Sequence, residues 1–110
     1  MEKMEEHEGR YFKIGCKKMR AYMDSLVKQN RAALLYEGAS GCDSHEDYDE
    51  EWKYRLEEYP DSTVDLSHHF MSHGELVDRR YDGLTLLVRS PTKDKAKHVI
   101  SALEKILRSL

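Results

Sequence analysis

Amide side chains are nearly missing from this chain: Asn30 is its one asparagine and Gln29 its one glutamine. Glutamate and lysine are abundant instead, a balance that matches the compositional drift of heat-adapted proteins. Five methionines and two cysteines pull the other way. A thermophilic origin therefore predicts a melting midpoint above about 60 °C. Two cysteines are too few for a disulfide framework and fit a reducing, cytoplasmic setting. No apolar run approaches the ~18 residues needed to cross a bilayer, so no membrane partner is expected. Met1 to Glu8 is mostly acidic and lacks an apolar core, so no secretion signal is visible. A basic excess is missing too: 18 Lys and Arg stand against 21 Asp and Glu, a net charge of −3. That balance argues against a nucleic-acid partner, which calls for a basic stripe.

What is present is charge of both signs, 35% of residues against about 25% in an average domain. A chain of 110 residues makes one domain and buries roughly two thirds of its unfolded surface, enough to fold without staples. Residues 1–9 read as a flexible, solvated tail and 10–110 as the folded domain. Tyr11, Phe12 and Ile14 suggest a short strand running to Gly15. From Lys17 onward, Met19, Tyr22, Met23, Leu26 and Val27 follow the three-four rhythm of an amphipathic helix. Arg31 to Glu37 either extends that helix or, if Asn30 ends it, holds a buried strand at Ala33–Tyr36. Leu35 falls off the helical stripe and favours the strand, which gives a β-α-β opening with a right-handed crossover.

Gly38 to Gly41 reads as a loop. Ser44-His45-Glu46-Asp47 resembles a capping box, with Tyr48, Trp52, Leu56 and Tyr59 on one face of a second helix that Pro60 closes. An antiparallel meander follows over about residues 62–89. Asp82-Gly83 is a two-residue hairpin signal, and His73-Gly74 a weaker one. The two turns together predict Tyr81–Leu84, Arg79–Leu86, Val77–Val88, Ser72–Glu75, Phe70–Val77, His68–Arg79 and Leu66–Tyr81 as cross-strand pairs. Val64, Leu66, Phe70, Val77, Tyr81, Leu84, Leu86 and Val88 then share one face, because a one-residue slip would turn every side chain over. Ser90-Pro91-Thr92 opens a last helix, whose apolar stripe runs from Ala96 through Val99, Ile100, Leu103 and Leu107. The expected fold is α+β: a two-layer α/β sandwich, the meander plus the β-α-β element forming a sheet with three helices on one face.

His68 and Arg79 interrupt the apolar face side by side. They read either as a rim pair, with the arginine stem laid along apolar surface, or as an anion pocket between sheet and helix. The opposite face carries His69, Met71, Leu76, Asp78, Arg80, Leu87 and Arg89, with Asp65 near. His69 across from Asp78 is an ordinary cross-strand charge pair, while Met71, Leu76 and Leu87 form a small apolar patch suited to association. Cys16 follows a glycine at a helix start beside two lysines, which makes it the reactive-thiol candidate; a buried structural cysteine is the plainer alternative.

Metal spacing fails. His69 and His73 stand ~13 Å apart along a strand. Cys42 and His45 make half a zinc site, and Asp43, Asp47 and Asp49 lack the glycine and terminal glutamate of a calcium loop. Gly38–Gly41 lacks the lysine of a phosphate loop and has acidic neighbours. The closing strand and helix, from Gly83-Leu84-Thr85-Leu86-Leu87-Val88-Arg89 onward, resemble the C-terminal region of phosphohexomutases, where a strand also runs into a helix through a short polar turn. The resemblance covers only that stretch and implies no residue role, since the family's phosphate-binding loop is missing from this chain. With no cofactor fingerprint or nucleophile-base motif, the reading is a non-catalytic module that binds a protein partner or a second copy through its exposed sheet face. The alternative is an enzyme built on Cys16 or the His68–Arg79 pair.

Overall fold

Period-two alternation shapes most of this chain, as seen in a computed structural model that describes residues 5–41, 48–72, 75–76 and 82–110, with side chains for 5–38, 50–68 and 82–110. The strands are β1 (Glu6–Phe12), β2 (Ala32–Gly41), β3 (Tyr48–Leu56), β4 (Thr63–Ser72), the two-residue β5 (Glu75–Leu76) and β6 (Leu84–Ser90). Helix α1 (Cys16–Lys28) follows β1, and α2 (Lys93–Ser109) ends the chain. The sheet order is β1-β6-β4-β3-β2, with β5 hydrogen-bonded to β4, and every neighbouring pair is antiparallel. Both helices pack on one face. There Met19, Met23 and Leu26 of α1 and Ala96, Val99, Ile100 and Leu103 of α2 join Trp52, Tyr54, Leu66, Leu84, Leu86 and Val88 in a single core. The architecture is a two-layer α+β fold.

It departs from expectation in several places. Two helices are present among the described residues, not three, because Tyr48–Leu56 is a strand. Tyr48, Trp52 and Leu56 also satisfy a four-residue helical spacing, but fully buried Tyr54 does not. On a helix Tyr54 would point about 200° from Trp52, into water. On a strand Trp52, Tyr54 and Leu56 turn inward together while Glu51, Lys53 and Arg55 turn out. The supposed capping box lies outside the described residues. The chain does begin β1-α1-β2, but β1 and β2 lie at opposite edges with three strands between them. A neighbouring β-α-β crossover is therefore not what the helix makes, and β2 is an exposed edge strand rather than a buried one. β1 starts at Glu6, inside the segment read as a tail, and residues 38–41 are strand, not a loop.

The meander is corrected as well. Leu86 has Arg10 on one side and Leu66 on the other, and Val88 lies between Glu8 and Val64. Leu66 is likewise flanked by Trp52 and Leu86. No strand edge remains for the expected Arg79–Leu86, Val77–Val88 or Leu66–Tyr81 pairings. A central β6 has both its edges hydrogen-bonded, whereas the tight hairpin would have left one unpaired. Of the other expected pairs, Ser72–Glu75 is present. Phe70–Val77, His68–Arg79 and Tyr81–Leu84 involve residues outside those described.

Asp82 has a different use from the hairpin its sequence suggests. α1 begins after Gly15, at φ 125° and without a capping side chain of its own. The Gly15 and Lys17 amides donate to Asp82 Oδ2 and Oδ1 at 3.1 and 2.8 Å, and the Cys16 amide donates to the Asp82 carbonyl at 3.1 Å. A carboxylate from the start of β6 thus serves as the helix cap, satisfying amides that have no partner within the helix. At the other end Asn30 takes a left-handed φ of 59°, and the Arg31 amide returns to the Leu26 carbonyl at 2.8 Å. That reversal turns the chain into β2. Thr92 caps α2, accepting from the Lys95 amide at 3.2 Å, so Pro91 precedes the cap rather than lying in the helix's first turn.

Candidate interaction surface

Pleating sends every second strand residue to the face that neither helix covers. Register arranges these residues in rows across the sheet. One row runs Tyr36, Lys53, Asp65, Leu87 and Gly9; the next runs Gly38, Glu51, Ser67, Thr85 and Tyr11. On the other side of the first row lie Thr63, Arg89 and His7. Tyr36, Glu51, Lys53, Asp65, Ser67, Thr85, Leu87 and Arg89 line a shallow depression of about 420 Å³. Ser67, Thr85 and Leu87 give it hydroxyl and aliphatic surface, and two cations and two carboxylates surround them.

Asp65 is the electrostatic centre. Its Oδ2 lies 3.7 Å from Arg89 Nε, while its Oδ1 is closed off from water and has no hydrogen-bond partner among the described residues. Burial raises the Asp65 pKa above its ordinary value, and the Lys53 and Arg89 charges pull it back only in part. A carboxylate oxygen held this way is suited to accept from a donor brought by a partner. Tyr36 lies across Gly38, where even an added methyl would collide with its phenol. Gly38 is thus what lets the ring settle against the face.

Leu87 and Arg89 are on this face, and Asp65 is beside them. His69, Met71 and Leu76 have their backbones placed, pairing with Asp49, Tyr48 and Met71 respectively, but their side chains lie outside those described, as do Asp78 and Arg80 altogether. His68 is on the helix side at 5% exposure, with Glu50 as its cross-strand neighbour; Arg79 lies outside the described residues. Cys16 is buried in the core at 3% exposure. Burial and the adjacent Asp82 charge push its thiol up to about 12, the reverse of what a helix start and two lysines suggested. At neutral pH the group is a protonated thiol, a poor nucleophile.

Tyr36, Glu51 and Lys53 were missed as parts of the surface, because Glu51 and Lys53 were assigned to a helix. The strict alternation of Glu51-Trp52-Lys53-Tyr54-Arg55-Leu56 was the signal that finds them. Among the described residues no three His, Cys, Asp or Glu side chains are grouped to hold a metal, and no helix is long and apolar enough to cross a membrane. No family model, curated protein or solved structure matches the chain.

Proposed function

We propose that this protein is a binding module, without catalytic chemistry of its own, that receives a protein partner on its open sheet face. The observation that supports it most is the central Asp65. One of its carboxylate oxygens is shielded and unpaired among the described residues, beside half-buried Leu87 in a depression that exposed Tyr36 also lines. An aromatic ring, an aliphatic centre and paired charges of both signs make a surface that a protein matches better than a nucleic acid does. The enzyme alternative draws no support from Cys16, whose thiol is buried and protonated.

Leu87→Glu tests the reading. It places a charge at the centre of the face while leaving the helix-covered side untouched. Association with a partner, followed by sedimentation and by co-purification, should weaken by tenfold or more, roughly 1.4 kcal/mol, with unchanged circular dichroism. Equal association by the folded variant and its parent would show that binding uses another surface.

A further inference from the structure

Charge is unevenly spread along this acidic chain. From Gly9 to Met23 there are five cations, Arg10, Lys13, Lys17, Lys18 and Arg20, and no carboxylate. The fold gathers the middle of that run at one end of the molecule. β1 stops at Phe12, and the chain bends through Lys13, Ile14 and Gly15 into α1. A methyl group at Gly15 would stand 2.7 Å from Leu107 Cδ1, so the last turn of α2 lies directly against this bend. Tyr11, Phe12, Ile14, Leu107 and Leu110 line a depression of about 520 Å³ there. Tyr11, Ile14 and Leu110 are 57%, 74% and 44% exposed, three of the six large apolar side chains exposed among the described residues. Apolar side chains scattered singly need no explanation, but a cluster around a hollow marks a contact.

Lys13, Lys18 and Arg108 share the lining. Arg108 meets Glu104 at 3.6 Å, and Lys18 Nζ donates to the Leu110 carbonyl at 3.4 Å. Neither lysine has a carboxylate partner among the described residues. Asp82 is the one carboxylate in the lining, and the Gly15 and Lys17 amides occupy it.

We propose that this depression binds an acidic peptide segment through a bulky apolar side chain. That side chain rests against Ile14, Leu107 and Leu110, and carboxylates flanking it meet Lys13 and Lys18. Charge complementarity selects the partner, since two lysines without carboxylates border an apolar hollow in a chain of net charge −3. The volume falls within the range of about 300–1,000 Å³ of sites that enclose a ligand. A nucleic acid would answer the lysines but has no apolar side chain for the hollow. Three lining cations fall short of the roughly four to eight that mark an anionic lipid surface site. The depression meets the open sheet face only at Tyr11, so this proposal goes beyond the open-face reading and either can fail without the other.

The test is fluorescence anisotropy of a labelled peptide, glutamates around a central Leu-Phe pair, titrated with the full chain. A dissociation constant of about 100 μM or tighter is expected. Lys13→Glu/Lys18→Glu should weaken binding by about tenfold or more, and Ile14→Ser, at a site open to water, by about fivefold. The same peptide with Ser-Ser in place of the pair should bind about tenfold more weakly. Lys97→Glu changes an exposed lysine of α2 outside the lining and should alter affinity by less than about twofold. Circular dichroism confirms that each variant is folded. No binding by the parent overturns the proposal, as does equal binding of the Ser-Ser peptide, which would leave the hollow unused. A loss with Lys97→Glu as large as with Lys13→Glu/Lys18→Glu overturns the location. Tighter binding to phosphatidylserine vesicles, lost in the same variants, overturns the peptide in favour of a membrane. Peptide binding abolished by Leu87→Glu and untouched by these changes overturns this site and favours the open face.

Discussion

Leu86 and Leu87 are consecutive residues of β6 with opposite surroundings. Leu86 is fully buried under the helices, between Arg10 and Leu66 in register; Leu87 is half-buried on the open face, between Gly9 and Asp65. The chain thus places the same side chain in the core and, one residue on, half-buried on the open face. On the helix side, apolar contacts close from both layers and leave no room for adjustment. The open face is supported from below only, so its side chains are free to answer to a partner. Stability is concentrated on one face, and the surface proposed for binding is on the other.

The most direct way to break that contrast is truncation at both positions. Leu86→Ala should cost about 3 kcal/mol, because it removes buried methyl groups and leaves a cavity that the strands and helices cannot close. In a domain of this size the melting midpoint should drop by roughly 10 °C or more. Leu87→Ala should cost less than about 1 kcal/mol. Urea unfolding of the two variants measures the difference directly, and equal losses would mean that the open face is covered in solution.

A smaller effect is expected at the seam between the layers, where Asp82 links the start of β6 to the start of α1. Asp82→Ala removes two hydrogen bonds to the Gly15 and Lys17 amides together with a negative charge at a helix N-terminus. The expected loss is about 1–2 kcal/mol. Hydrogen exchange sharpens the result: the first-turn amides of α1 should lose protection, while those of α2, capped by its own Thr92, should keep theirs. A uniform loss along both helices would argue against a capping role.

This seam also shows what could be read from the sequence and what could not. The Asp82-Gly83 signal was genuine, but a carboxylate acceptor serves a hairpin and a helix cap equally well, and only the fold decides between them. Inside and outside along β4 and β6 were legible, because parity depends on local alternation alone. Val64, Leu66, Leu84, Leu86 and Val88 face the helices although most of their predicted neighbours were wrong. The new partners, Leu66 with Leu86 and Val64 with Val88, preserve that parity. Strand order was not legible, since nothing local in Glu6–Phe12 announces that it lies beside β6. For the same reason Asp65, Leu87 and Arg89 were identifiable as one surface, whereas Tyr36 and Lys53 join it only once β2 and β3 are known to lie beside β4.

The smallest predicted effect lies at Asp65, where the sign matters more than the size. Burial raises the folded-state pKa of this carboxyl above its unfolded value. Ionising it therefore costs the folded state more than the unfolded one. That penalty is absent below the unfolded pKa, grows as pH rises through the interval between the two values, and is fully present at neutral pH. Asp65→Asn removes the buried charge and gives up the 3.7 Å contact with half-exposed Arg89, a pair that solvent screens. At pH 7 the variant should be as stable as its parent or more so, by about 0–1 kcal/mol. Near pH 3 the difference should shrink, because the parent's Asp65 is then largely protonated in both states. Urea unfolding of both proteins at the two pH values cancels every other titrating group. A loss above about 1 kcal/mol at pH 7 would make Asp65 a structural ion-pair residue. Stability retained at Asp65→Asn, together with weakened partner binding, would instead show a charge kept at a cost to the fold for the contact it makes outside it.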